Sequence, residues 1–100
     1  MFRRVLSQIR ERVRTREYIM TVHAEEEMSN DDFSIFDIEH ALLIGSIQER
    51  QRDQATGEWK YCVKGQALDH RNMQITVKIG VTGKLVLITV FNLTGGRHDM

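Results

Sequence analysis

The stretch Thr21-Val22-His23-Ala24-Glu25-Glu26-Glu27-Met28 puts an imidazole in the first turn of an expected helix, with Glu26 and Glu27 three and four residues further along the same face. Imidazole gains and loses a proton near neutral pH, so His23 suits a general base. It also suits half of a metal site, with Glu27 on its own helix and Asp37 and His40 on the next. The third role is structural: a histidine satisfied by a glutamate, anchoring its helix. No HExxH or CxxC spacing reinforces the metal role, so neither metal nor cofactor is expected. Anchoring is the simplest role, and the base role requires this helix to lie at the edge of a sheet.

A second group is cationic. Lys60, Lys64 and Lys78 fall in segments of strand character, as do Arg50 and Arg52. Which of them share a surface depends on the elements that carry them.

In residues 1–17 Phe2, Val5, Leu6, Ile9 and Val13 recur at helical spacing, with six arginines against two glutamates. A second helix is expected from Thr21 to about Met28. A third opens on Ser34 and Asp37 as a capping box, with Phe33 and Ile38 as a hydrophobic staple, and stops at Gly45. Ile35, Ile38, Ala41 and Leu42 form its apolar stripe. Beyond Gly45 the period changes to two, and residues 47–53, 59–66, 73–80 and 85–91 read as strands separated by turns. The chain is therefore expected to be one α+β domain over residues 1–100. Its N-terminal helices, about 2–44, pack on one face of a four-stranded antiparallel sheet, about 47–91, followed by a frayed tail, 92–100.

A tight turn at Thr82-Gly83 would pair Val77 with Ile88, Ile75 with Val90 and Thr76 with Thr89. The helix-covered face then takes Met73, Ile75, Val77 and Ile79 with Val86, Ile88 and Val90, joined by Ile47, Trp59, Tyr61 and Val63. The open face takes Gln48, Arg50, Arg52, Lys60, Cys62, Lys64, Gln74, Thr76, Lys78, Leu87, Thr89 and Phe91. It holds five positive charges and no acid. Sheets of this kind commonly leave one face to water, and lysine is common there. The single charge sign beside Phe91 instead suits a phosphate backbone with a base to stack.

Several function classes are excluded by composition. Net charge is zero, so any polyanion site is a local patch. Cys62 is the one cysteine, which rules out an internal disulfide and fits a reducing compartment. It reads as a small strand residue, since no histidine is fixed beside it. No apolar run of about 20 residues would span a membrane, and no apolar segment follows Arg3 and Arg4 to form a signal peptide. A cytoplasmic protein is expected. His70 and His98 fall in a turn and the tail.

The motifs "TVHAEEEM", "FSIFDIEHALLIG", "KYCVKG", "MQITVKI" and "LVLITVF" together resemble a bacterial family of small proteins carrying a domain of unknown function. That family is regarded as related to the RelE- and MqsR-like toxins that cleave mRNA, and it often sits beside zinc-finger antitoxins of the YgiT/MqsA type. The resemblance spans about residues 18–91. It implies a RelE/MqsR-like two-layer fold that acts on mRNA across the open face of the sheet as a metal-independent endoribonuclease, with a zinc-finger antitoxin as partner. Relatives often show tyrosine where this chain has Phe91, which removes a phenol from that position. Under this reading Lys60, Lys64, Lys78 and His23 are the catalytic candidates, and Arg50, Arg52, Gln74, Thr76, Thr89 and Phe91 bind RNA. Two alternatives belong to other classes. One is a non-catalytic RNA- or protein-binding module using the same face. The other is a regulatory protein that self-associates, its Arg-rich first helix against the acidic segment 25–39 of a neighbour.

Overall fold

The structure, a computed structural model, describes residues 1–94. Its elements are α1 (Arg3–Arg14), β1 (Tyr18–Met20), α2 (Val22–Asn30), α3 (Ile35–Ile44), β2 (Ser46–Arg52), β3 (Trp59–Gln66), β4 (Asn72–Ile79) and β5 (Leu85–Asn92). The α+β class and the three helices agree with the sequence. The sheet, however, is five-stranded and mixed, in the order β1-β5-β4-β3-β2, with β1 parallel to β5. A three-residue strand is too short to show alternation, so β1 leaves no periodic trace.

Helices α2 and α3 start where side chains take up their free amides. Thr21 Oγ1 accepts from the Ala24 N–H at 3.0 Å. Ser34 and Asp37 exchange side-chain and backbone bonds at the head of α3, the capping box expected from sequence. Asp37 also accepts from the Leu68 N–H at 3.0 Å, tying α3 to the β3–β4 loop. Burial pushes its carboxyl up, but these hydrogen bonds outweigh that and hold it below the usual carboxylate range.

Ile9, Ile38, Leu42, Val63, Met73, Ile75, Val77, Leu85, Leu87 and Val90 are fully buried between helices and sheet. Each such side chain contributes roughly 1.5–3 kcal/mol of transfer free energy. At Gly65 α3 lies directly on β3, where a Cβ would collide with the Ala41 carbonyl oxygen. Leu93 and Thr94 bond back to Asn72, carrying pairing past β5. The remainder of the expected frayed tail, 95–100, lies outside the described residues.

Two irregularities revise the expected faces. The β4–β5 turn is one residue longer than a two-residue hairpin: Gly80 N–H bonds to Lys84 O, and Ile79 pairs with Leu85. Gly83, at φ 89°, supplies the left-handed residue that such a loop needs. Register is thereby displaced by one, and Val77 pairs with Leu87 instead of Ile88. A bulge at Ile88 then restores it, so Thr76–Thr89 and Ile75–Val90 pair as expected. Leu85 and Leu87, not Val86 and Ile88, are the fully buried residues here.

The second bulge is in β2. Ile47 pairs with Val63, but Glu49 pairs with Cys62, Arg50 with Tyr61 and Arg52 with Trp59, leaving Gln48 as the extra residue. Arg50 and Arg52 therefore lie on the helix-side face, and Glu49 and Gln51 take their places on the open one.

Candidate functional site

The open face of the sheet can be followed in rows across its strands. Phe91 is opposite Gln74 and Gln74 opposite Lys64; Thr89 is opposite Thr76, Thr76 opposite Cys62 and Cys62 opposite Glu49. Val86 is opposite Lys78, and Lys60 opposite Gln51. Structure thus brings together Lys60, Lys64, Lys78, Gln74, Thr76, Thr89 and Phe91, and removes Arg50 and Arg52. Both guanidinium groups rest on the Trp59 ring, 4.0 and 4.3 Å from its centroid.

The expected purity of sign does not survive either. Glu49 stands on this face, its carboxylate 3.9 Å from Cys62 Sγ. Lys78 Nζ donates to Glu58 at 2.7 Å, and Lys60 lies 3.9 Å from Asp53. The Lys78 hydrogen bond holds the Glu58 carboxyl below its ordinary range, and the Thr56 and Ala55 amides do the same for Asp53. Lys64, exposed, makes no ion pair among the described residues. Cys62 is buried, flanked by Glu49 and Thr76.

The condition for His23 is met. Helix α2 follows β1 directly and runs along the outer edge of β5, beyond the point where β1 stops pairing at Met20–Leu87. Two side chains fasten it to the bulged backbone. Thr21 Oγ1 donates to Ile88 O at 2.9 Å, and Glu27 Oε1 accepts from the Val90 N–H at 2.8 Å. The sheet edge that lacks a strand partner is closed in this way by α2.

Glu27 Oε2 lies 3.3 Å from His23 Nε2, with the histidine side chain 64% exposed. Ala24 is fully buried and marks the core direction of α2. At about 100° per residue, Glu27 lies roughly 60° round the helix from Ala24, and His23 a further 40° or so in the same sense. Ala24 therefore faces the core, Glu27 the strand edge, and His23 lies beyond Glu27, turned away from the core. The arrangement is a titratable base next to a carboxylate that a backbone amide holds in place.

The cations stand further off. Lys64 is on β3, two strands in from β5, hence about 10 Å from β5 at the usual spacing and further from His23 on α2. His40 is not part of a metal pair with His23: its Nδ1 lies 2.8 Å from Gln66 O on β3. Among the described residues no group of three or more His, Cys, Asp or Glu side chains could hold a metal ion. No helix among them is long and apolar enough to cross a membrane.

Sequence reasoning passed over Thr21 and Glu27 as a docking pair and Glu49 as an acid within the face. The first had a signal, a hydroxyl cap and a carboxylate six residues apart on a short, weakly amphipathic helix. The second had none, because nothing in the polar run Gln48–Arg52 marks a bulge.

A family model described as a domain of unknown function, DUF4258, matches residues 20–92, from the end of β1 to the end of β5. The chain belongs to the DUF4258 family. No curated protein and no solved structure matches it. The DUF4258 segment contains every element of the site, including α2 and its contacts to β5. Helix α1 lies outside it, although Arg10 and Arg12 bond to the carbonyls of Gly45 and Gly83.

Proposed function

We propose that this DUF4258 protein binds single-stranded RNA across the β5 side of its open sheet face and cleaves it without a metal, as the RelE- and MqsR-like toxins it resembles do. The observation that carries the reading is the His23–Glu27–Val90 arrangement at the edge of a face that offers Phe91, Gln74, Thr76 and Thr89. In this reading Phe91, 58% exposed, stacks one base. Gln74, Thr76 and Thr89 reach base edges and ribose hydroxyls. Lys64 holds a flanking phosphate.

With its proton on Nε2 beside Glu27, His23 has a lone pair on Nδ1. That nitrogen takes the proton of a ribose 2′-hydroxyl, the 2′-oxygen bonds to the adjacent phosphorus, and the 5′-oxygen leaves with a proton from water. The products are a 2′,3′-cyclic phosphate and a 5′-hydroxyl. Glu27 is a positioning residue. A zinc-finger antitoxin covering this face would belong to the same picture.

A second reading, a non-catalytic RNA-binding module, is favoured by one specific observation. Lys60 and Lys78 are paired with Asp53 and Glu58, so among the described residues no free cation lies within a strand of His23. Incubating the purified protein with a single-stranded RNA in EDTA separates the two. Cleavage by wild type with cyclic phosphate ends, lost in His23→Ala, supports the enzyme. Binding without cleavage supports the module.

A further inference from the structure

Charge is segregated on the helices. Of the arginines on and next to α1, Arg10 and Arg12 are tied to backbone carbonyls. Arg3, Arg4, Arg14 and Arg16 are exposed. Arg14 approaches Glu11 at 3.9 Å, with both side chains more than half exposed, and the other three make no ion pair among the described residues. On α2 the outward face carries Val22, Glu25, Glu26, Ser29 and Asn30, which line an open hollow of about 440 Å³. Asp31 and Asp32 continue its acidic character, and residues 23–39 contain no lysine or arginine. Val22, at the N-terminal end of that face beside Glu25 and Glu26, is 70% exposed.

These faces do not neutralise each other within one molecule. Helix α1 packs on α3 and β5, α2 packs on β5 and β1, and no ion pair joins α1 to α2 among the described residues. An exposed apolar residue beside acids on one element, and exposed arginines with long aliphatic stems on another, are complementary surfaces on the same chain. We infer that two copies of this chain associate, α1 of each seated on α2 of the other. A two-fold axis uses the contact twice and closes the assembly as a dimer. Arginine stems cover Val22, and their guanidinium groups meet Glu25 and Glu26, for which planar bidentate pairing is available. Exposed ion pairs are individually weak and screened by salt, so the dimer is a low-salt, concentration-dependent one.

The test is a charge exchange read by sedimentation equilibrium, with no RNA present. Wild type is compared with Arg3→Glu/Arg4→Glu and with Glu25→Arg/Glu26→Arg, each verified as folded by circular dichroism; all four positions are exposed. Wild type is expected to dimerise at low salt, with affinity falling about tenfold or more at high salt as the pairs are screened. Each variant alone is expected to be monomeric, because like charges then face each other at both contacts. Their equimolar mixture is expected to dimerise, since both contacts become complementary again. A wild type that stays monomeric at low salt overturns the inference. So does a dimer that persists in either variant, or a mixture that fails to associate.

Discussion

The two edges of the sheet are each shaped by a β-bulge, with opposite results. At β5, beyond the end of β1, the bulged backbone is bonded by Thr21 and Glu27 of α2, and His23 is paired with Glu27 on that helix. At β2 the bulge at Gln48 turns Arg50 and Arg52 away from that face and onto Trp59. Six of the seven β2 residues are exposed, and no strand or helix covers its outer edge among the described residues. One extra residue assembles a candidate site at the first edge and dismantles one at the second. Strand parity alone is therefore a poor guide to function where a bulge intervenes.

The largest effect that would sharpen this contrast is on chemistry. His23→Ala is expected to lower RNA cleavage by about 10²–10⁴-fold, the usual worth of a positioned base. Melting temperature should hardly move, because the side chain is 64% exposed. A large loss of stability instead would make His23 an anchor.

Glu27→Ala is expected to destabilise the fold by roughly 1–3 kcal/mol in denaturant unfolding, since the Val90 N–H loses its acceptor. Glu27→Gln keeps an acceptor there and should retain most of that stability while shifting the pH profile of cleavage. Equal behaviour of the two variants would break the positioning role.

Phe91→Ala, assayed by anisotropy with a labelled single-stranded RNA, is expected to weaken binding by about 1–3 kcal/mol, the usual loss of one stacked base. Arg50→Ala and Arg52→Ala should each cost about 0.5–1 kcal/mol of stability through the lost contact with Trp59. RNA affinity should stay unchanged in both. An affinity loss at either arginine would return the site to β2.

The smallest effect is in acid. The folded-state carboxyls of Asp37, Asp53 and Glu58 lie below their ordinary values. Their stabilisation is thus fully present above the ordinary carboxylate range and is lost as pH falls through the lowered folded values. The unfolding midpoint should drop over that window, and Asp37→Asn should flatten the drop.

Much of the fold was legible because alternation and caps agree in most elements. Ser34 and Asp37 fix the head of α3, and Met73, Ile75 and Val77 alternate cleanly with Gln74 and Thr76. Both parity errors fall in strands without alternation. In Leu85–Phe91 every residue except Thr89 is apolar, and in Gln48–Arg52 every residue is polar, so either face could be buried. The site was half legible for the same reason. Gln74, Thr76, Thr89, Phe91 and Lys64 sit as their spacing implied, whereas Arg50 and Arg52 follow a bulge that has no sequence mark. His23 is recognisable as a candidate for chemistry, but its location depends on β1, whose three residues leave no period to read.

The measurement that bears most directly on the β5 edge as the functional one is an amide NMR titration. A short single-stranded RNA blocked against cleavage by 2′-O-methyl groups would be added to the labelled protein. Perturbations are expected to concentrate on His23 and Glu27, on Thr89–Phe91, on Gln74–Thr76 and on Lys64, with Arg50, Arg52 and Trp59 silent. Perturbations centred on Arg50–Trp59, or none at all, would contradict it.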